Sequence, residues 1–299
     1  MSSIFARTRF IMLGTSHPGN VGSAARAMKT MGFTQLVLAA PKDSGYLQHP
    51  EAIALASGAV DVLDKAMVCE SLSEALAPVT LSFALTARTR DMGPPAMDIR
   101  HAALEAEQHL HHHAQAQVAI ILGPERIGLD NEEISRCHRI CHIPANPEYS
   151  SLNVAQALQL AAWELRYAFN HRLGADAVAI SADVNKPVGS GLHEGQASHD
   201  HEVGHQEQAW DSAQIMQQLR QDAGALSINQ ALAPQEQVEA FIEHWREALV
   251  HLGFLNPEHP KKLMPRMRYL FNRCHMTQEE TDMMRGVCSK ILKQPPPQY

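Results

Sequence analysis

The stretch "HPGNVGSAARAMKTMG", residues 17–32, follows the apolar run "RFIMLG" and carries an amide and a guanidinium six positions apart, Asn20 and Arg26. A glycine-bearing turn that opens into a helix is a natural anion cradle, because the first helical amides lack partners and the helix dipole favours negative charge. Neither standard nucleotide loop fits, however. A P-loop needs Lys followed by Ser or Thr after its last glycine, and a dinucleotide loop needs three glycines as GxGxxG. "GNVGSAARAMK" supplies neither. What remains is a helix start that can hold one anionic group, with Asn20 and Arg26 converging on it only if Asn20 lies in the loop ahead of the helix. Taken alone, Arg26 reads equally well as a surface cation.

Two more polar clusters stand behind apolar runs. "LGPERIGL" places Glu125 and Arg126 between Gly123 and Gly128, and "IPANPEYSSLN" is a rigid turn leading to Ser150, Ser151 and Asn153. Singly, Ser151 reads as a helix N-cap, its hydroxyl accepting from a free amide of the first turn. Together the three clusters fall at the carboxyl ends of strands, the edge where open α/β sheets bind ligands.

The elements that must position them can be read from hydrophobic periodicity. "RFIMLG", "TQLVLAA", "TLSFALT", "QVAIILG" and "RICHIP" read as strands with helical patterns between them, which predicts an α/β fold: a mostly parallel sheet with helices on both faces. A helix from near Ser151 sets Ala155, Leu158, Ala162, Leu165 and Phe169 on one face and crowds its side with Val154, Ala157 and Ala161. Apolar well beyond one stripe, it is expected to be buried on most sides and to include a subunit interface. Residues 175–210 are rich in Gly, Ser, Asp and His and read as a flexible linker. The remainder is helical: "PQEQVEAFIEHWREALVHLGF" opens with Pro234 in its first turn and buries Val238, Phe241, Ile242, Trp245 and Leu249, and "TQEETDMMRGVCSKIL" opens with a capping box, Thr277 with Glu280.

Composition narrows the function classes. At 299 residues and 45% hydrophobic, the chain has an ordinary globular make-up with room for about two domains. Its apolar runs fall short of a membrane span and no signal-peptide core opens it, so a cytoplasmic protein with no membrane partner is expected. Five cysteines without framework spacing fit reduced thiols. "CHRICH", 137–142, gathers possible metal ligands, but strand alternation sends Cys137, Arg139 and Cys141 one way and His138, Ile140 and His142 the other. Packing is expected there and no metal site; the scattered histidines of the linker are read as a solvated spacer. A net charge of −7 excludes a uniformly basic coat, yet between Lys261 and Lys293 eight basic residues face three acidic ones. That tail could meet phosphate.

"NVGSAARAMKTMG", "GPERIGL" and "IPANPEYSSLNVAQALQLAAWELR" resemble, in order and spacing, the three motifs of the SPOUT superfamily of methyltransferases. The third motif and the C-terminal "YLFNRCHMTQEETDMMRGVCSKIL" resemble more closely its tRNA (cytidine/uridine-2′-O-)-methyltransferases. Two departures stand out, Pro124 where Asn or Arg is commoner and a long His-rich linker. The resemblance implies a catalytic domain over 1–174 with a C-terminal trefoil knot, the linker over 175–210, and a helical tRNA-binding extension over 211–299. It implies S-adenosylmethionine as cofactor, held by Thr86, Ala87, Arg88, Gly123, Glu125, Ile143, Ser150, Ser151 and Leu152. It assigns catalysis to Arg26, Ser151, Asn20, Glu125 and Asn153, the substrate to a cytidine or uridine ribose at position 32 of the tRNA anticodon loop, and the working unit to a homodimer. Ribosomal RNA as substrate, or a silent RNA-binding role on the same scaffold, are the alternatives. Since guanidinium groups stay protonated across the accessible pH range, Arg26 is expected to stabilise charge rather than to act as a base.

Overall fold

The structure, a computed structural model, describes residues 3–88, 93–181 and 231–295, with the backbone alone for 172–181. The linker expected over 175–210 therefore lies outside the described residues, except that a helix continues through Ser181. The chain divides into two units, 1–169 together with 227–299, and 170–226.

The first unit is built on seven parallel strands: β1 (Thr8–Leu13), β2 (Gln35–Ala39), β3 (Met67–Cys69), β4 (Leu81–Leu85), β5 (Ala96–Asp98), β6 (Val118–Leu122) and β7 (Arg139–His142), in the order β3-β2-β1-β6-β4-β7-β5. Parallel strands buried on both faces read as continuous apolar runs, and "FIML", "LVLA" and "VAIIL" are such runs. Their alternate residues feed two cores. Phe10, Met12, Leu36, Leu38, Phe83 and Ile120 pack with helices α1 (Pro18–Thr30), α5 (Ile99–His112) and α7 (Val154–Ser181). Ile11, Leu13, Val37, Ala84, Ala119 and Ile121 pack with α4 (Leu72–Leu76) and α6 (Asn131–Ser135). Two short helices, α2 (Pro50–Ala56) and α3 (Val60–Asp64), complete the α1 side. The sheet with helices on both faces is as expected; β3 and β5, three residues each at the sheet's edges, are too short to leave a period in the sequence.

Strand β7 lies between β4 and β5, which are consecutive in the chain. A late strand thus enters the sheet between two strands that precede it in the chain. The "CHRICH" segment differs in one respect from its expected alternation. The strand begins only at Arg139, so Cys137 precedes it and packs with Ile140, whereas Cys141 joins the opposite core. Burial pushes the Cys137 thiol up to about 12 and that of Cys141 further, so neither is a thiolate near neutral pH.

The C-terminal helices are α8 (Gln235–His251), α9 (Leu263–Arg273) and α10 (Gln278–Leu292). Phe241 of α8 meets Phe271 of α9 edge-on at 4.7 Å, and the Thr277–Glu280 capping box opens α10. Pro234 stands one residue before α8 as its N-cap, not in the first turn. The bundle is fastened to the sheet unit by hydrogen bonds from Gln235 N to Val79 O at 2.8 Å and from Asn272 Nδ2 to Ser135 O at 3.2 Å. Among the described residues, no helix is long and apolar enough to cross a membrane.

Three histidines meet at this junction. His138 stacks on His275 at 5.7 Å, and His109 lies 5.9 Å from the same ring. Arg139 Nη2 donates to His275 Nε2 at 2.9 Å and the Ser82 amide donates to His138 Nδ1 at 3.1 Å. An imidazole nitrogen that accepts from such donors carries no proton, so both rings are neutral. Burial first, then His275 and Arg139, hold His138 well below the ordinary imidazole range; burial, then the neighbouring histidines and Arg139, do the same for His109. Burial, then Arg139 and His113, lower His275 to about 4. In the unfolded chain these groups take up protons near pH 6.5. The unfolded state therefore binds more protons below that pH, and stability falls as pH drops from about 6.5 toward 4, by ~1.4 kcal/mol per pH unit for each ring held neutral. Urea unfolding followed from pH 7 to pH 5 should show this slope. His275→Asn, whose replacement tolerates the left-handed φ of 47° at this site, should remove one histidine's share, and an unchanged slope would refute the account.

Candidate active site

Pairing of β1 with β6 (Met12 beside Leu122), of β6 with β4 (Leu122 beside Leu85) and of β4 with β7 (Leu85 beside Cys141) brings four carboxyl ends side by side. The segments after them, 14–17, 86–88, 123–128 and 143–153, consequently share one edge. A cleft enclosing about 790 Å³, counting space open to solvent, lies between the last three. All nine residues expected to hold the cofactor line it: Thr86, Ala87, Arg88, Gly123, Glu125, Ile143, Ser150, Ser151 and Leu152. Sequence reasoning missed its apolar wall, Leu85, Leu122, Val154 and Ala157, because core residues and pocket residues look alike in a sequence.

Gly123 faces the returning loop so closely that a Cβ there would overlap Leu129 N and stand 2.5 Å from the Gly128 carbonyl carbon. The loop closes by a hydrogen bond from Gly128 N to Pro124 O at 2.8 Å. Pro124, unusual for the motif, is accommodated by Gly14, at φ 58°, where a Cβ would come within 2.9 Å of the proline ring.

Glu125 is the hub of the polar cluster. Its Oε1 accepts from Thr15 Oγ1 at 2.9 Å and from Asn20 Nδ2 at 3.0 Å, and its Oε2 accepts from Ser16 Oγ at 2.9 Å. Asn153 Nδ2 donates in turn to Asn20 Oδ1 at 3.0 Å, while Asn153 Oδ1 accepts from Ala155 N at 2.9 Å. Burial alone would raise the Glu125 carboxyl, but hydrogen bonds from Asn20, its own backbone, Thr15 and Ser16 outweigh it and hold the group below the usual carboxylate range. The cluster thus keeps a carboxylate at neutral pH.

Two expectations change. Asn20 is the third residue of α1, not part of the preceding loop, so it does not converge with Arg26. Asn20 and Ser23 line a second groove, together with Asn153 and Gln156. Arg26, about a third of a turn away round the helix, is exposed, and its guanidinium makes no hydrogen bond or ion pair among the described residues. Ser151 is not a helix cap: α7 begins at Val154 and Asn153 supplies the capping oxygen, which leaves the Ser151 side chain at the cleft wall. Thr15 and Ser16 were not foreseen; their only sequence signal is two hydroxyls between a strand and a helix start.

In the basic tail, Arg266, Arg273, Arg285, Lys290 and Lys293 are exposed, whereas Arg268 is taken by Glu239 at 2.8 Å. Among the described residues, no three His, Cys, Asp or Glu side chains gather as a metal site.

Comparison with known proteins places these features. Residues 7–163 match the SpoU rRNA Methylase family, and residues 236–298 match the C-terminal domain of the tRNA methyltransferase TrmJ. The chain is 34% identical over 287 residues to the tRNA (cytidine/uridine/adenosine-2′-O-)-methyltransferase TrmJ of Pseudomonas aeruginosa, covering 96% of this chain and 94% of that one. Among solved structures, TrmJ from Z. mobilis ZM4 superposes with a TM-score of 0.69 at 27% identity, covering 96% of this chain and 99% of that one. A probable methyltransferase from Bordetella pertussis Tohama I is 66% identical, covering 56% of this chain and 99% of that one, with a TM-score of 0.54.

Proposed function

The chain belongs to the SpoU rRNA methylase family, and from that premise we propose that it methylates the 2′-hydroxyl of a cytidine or uridine ribose in tRNA, at position 32 of the anticodon loop, using S-adenosylmethionine. The tRNA substrate is favoured over ribosomal RNA by the match of residues 236–298 to the TrmJ C-terminal domain. The observation that carries the reading is the shared edge: the cofactor cleft and the Asn153–Asn20–Glu125 chain meet at one carboxylate.

The cleft suits the cofactor. Leu85, Leu122, Ile143, Leu152 and Val154 offer an apolar wall for a base, Thr86, Glu125, Ser150 and Ser151 a polar rim for ribose and amino-acid groups, and Gly123 lets the backbone of 128–129 close over it. S-adenosylmethionine supplies, when bound, a methyl on a cationic sulfonium, an excellent leaving group. The protein must hold the poor nucleophile in line and favour loss of its proton. Asn20 and Asn153 each keep a second amide N–H free of the chain that joins them, a donor for ribose or phosphate oxygen. Ser151 stands at the cleft wall. Arg26, bare and cationic, grips the neighbouring phosphate and stabilises the developing alkoxide, and the proton leaves to phosphate or water.

The working unit is a homodimer in the cytoplasm. Leu160, Trp163 and Tyr167 recur on the outer side of α7, each more than 40% exposed, at the spacing of one helix face, and Leu152 is also exposed nearby in the chain. Covering such a face is what a second copy does. The exposed cations of α9 and α10 hold the tRNA backbone as an extension of the catalytic domain.

The test is incubation with methyl-labelled S-adenosylmethionine and unmodified tRNA, followed by mapping of the label. One 2′-O-methyl at position 32 is expected. No label in the anticodon loop would overturn the reading, and label in ribosomal RNA alone would reassign the substrate.

A further inference from the structure

The hydrogen bonds around Glu125 run in one direction, and both ends of the chain dictate that direction. At the α7 end, the Ala155 amide needs an acceptor, so Asn153 turns its Oδ1 there and its Nδ2 toward Asn20. At the other end, a carboxylate can only accept, so Asn20 must turn its Nδ2 toward Glu125. The Ala155 amide thus fixes Asn153, and an ionised Glu125, held in place, anchors Asn20 from the other side. Asn20 occupies only one bond on that carboxylate; beside the one from Glu125's own backbone, others come from Thr15 Oγ1 at 2.9 Å, Ser16 Oγ at 2.9 Å and Ser16 N at 3.3 Å.

The segment that makes these bonds is itself pinned. Gly14 N donates to Ala39 O at 2.8 Å, Lys42 N donates to Thr15 O at 3.1 Å, and the Tyr46 hydroxyl donates to Ser16 O at 3.1 Å. Thr15 is 2% exposed, so its hydroxyl has no solvent role to play. Resting on the methyltransferase reading above, we propose that Thr15 and Ser16 are positioning residues of the reaction, which lock the Glu125 carboxylate and through it hold the Asn20 amide, and the Asn153 amide bonded to it, where they meet the substrate nucleotide. Thr15 and Ser16 belong to the turn after β1, and Glu125 to the loop that roofs the cofactor cleft. The same contacts hold the nucleotide-facing end of α1 and the cofactor loop in register.

The decisive variants are Thr15→Val, which keeps shape and removes the hydroxyl, Ser16→Ala, and Thr15→Ser, which restores the hydroxyl. Protein carrying side-chain 13C-labelled glutamate is titrated by NMR, with Glu125→Gln to assign the signal, and methyl transfer to tRNA is measured across the same pH range. Removing a hydroxyl should move the Glu125 titration upward by roughly one pH unit, and the acid limb of kcat should move with it while KM for tRNA changes less than about twofold. Thr15→Ser should return both to the wild-type position. A Glu125 titration unmoved in Thr15→Val and Ser16→Ala overturns the inference, as does a Thr15→Ser variant as impaired as Thr15→Val, which would make the site a matter of packing. Wild-type protein that methylates no RNA overturns the functional reading instead, and is told apart because the NMR titration is read without substrate.

Discussion

Alanine at position 123 is expected to weaken S-adenosylmethionine binding about 100-fold, equivalent to ~2.8 kcal/mol, with tRNA affinity retained. The added Cβ would overlap the backbone of Gly128 and Leu129, and backbone cannot rotate aside as a side-chain tip can. The 124–128 loop must swing outward, and Leu129, 1% exposed in the core beneath the sheet's other face, is dragged with it. Some stability is lost too, on the order of 1–3 kcal/mol, the usual cost of overpacking. Calorimetric titration with cofactor decides the matter: an affinity within threefold of wild type would mean that this loop does not form the cofactor wall.

The second large effect concerns Arg26. Arg26→Ala should lower kcat by about 10²–10³-fold, the size seen when one preorganised charge-stabilising group is removed, with cofactor affinity unchanged because the residue does not line the cleft. Arg26→Lys separates the two accounts of its role. A point charge on a flexible stem keeps part of the electrostatic stabilisation but loses the planar fork that fits phosphate, so partial activity is expected. Complete loss in Arg26→Lys with intact tRNA binding would contradict stabilisation by charge alone and assign the requirement to the planar guanidinium fork. Single-turnover rates at saturating tRNA keep binding out of the comparison.

These two residues also mark how far the site was legible. Gly123, Glu125, Ile143 and Ser150–Leu152 could be placed on loops at one sheet edge because each follows an apolar run. The strand order then decided that those loops are neighbours, with β1, β6, β4 and β7 adjacent although far apart in the chain. Asn20 and Arg26 looked like a pair because both sit in one motif. Helix geometry parts them: Pro18 starts the helix two residues before Asn20, so six positions leave them on different faces. The Ser151 hydroxyl looked like a cap because Ser and Asn both serve that role, and only the observed start of α7 assigns it to Asn153.

What the sequence determined by itself is local: which longer runs are strands, that helices lie between them, that the tail carries a basic excess, and which polar residues stand at strand ends. These depend on neighbours three or four positions away, so periodicity and capping chemistry report them. The tertiary structure alone decided the insertion of β7 between β4 and β5, the meeting of His109, His138 and His275 at one junction, and the capture of Glu125 by Thr15, Ser16 and Asn20. Each of these joins groups distant in the chain by contacts of a few ångströms. Residue types and spacing carry no record of which distant hydroxyl will face a given carboxylate, because that is settled by how the sheet is ordered and packed.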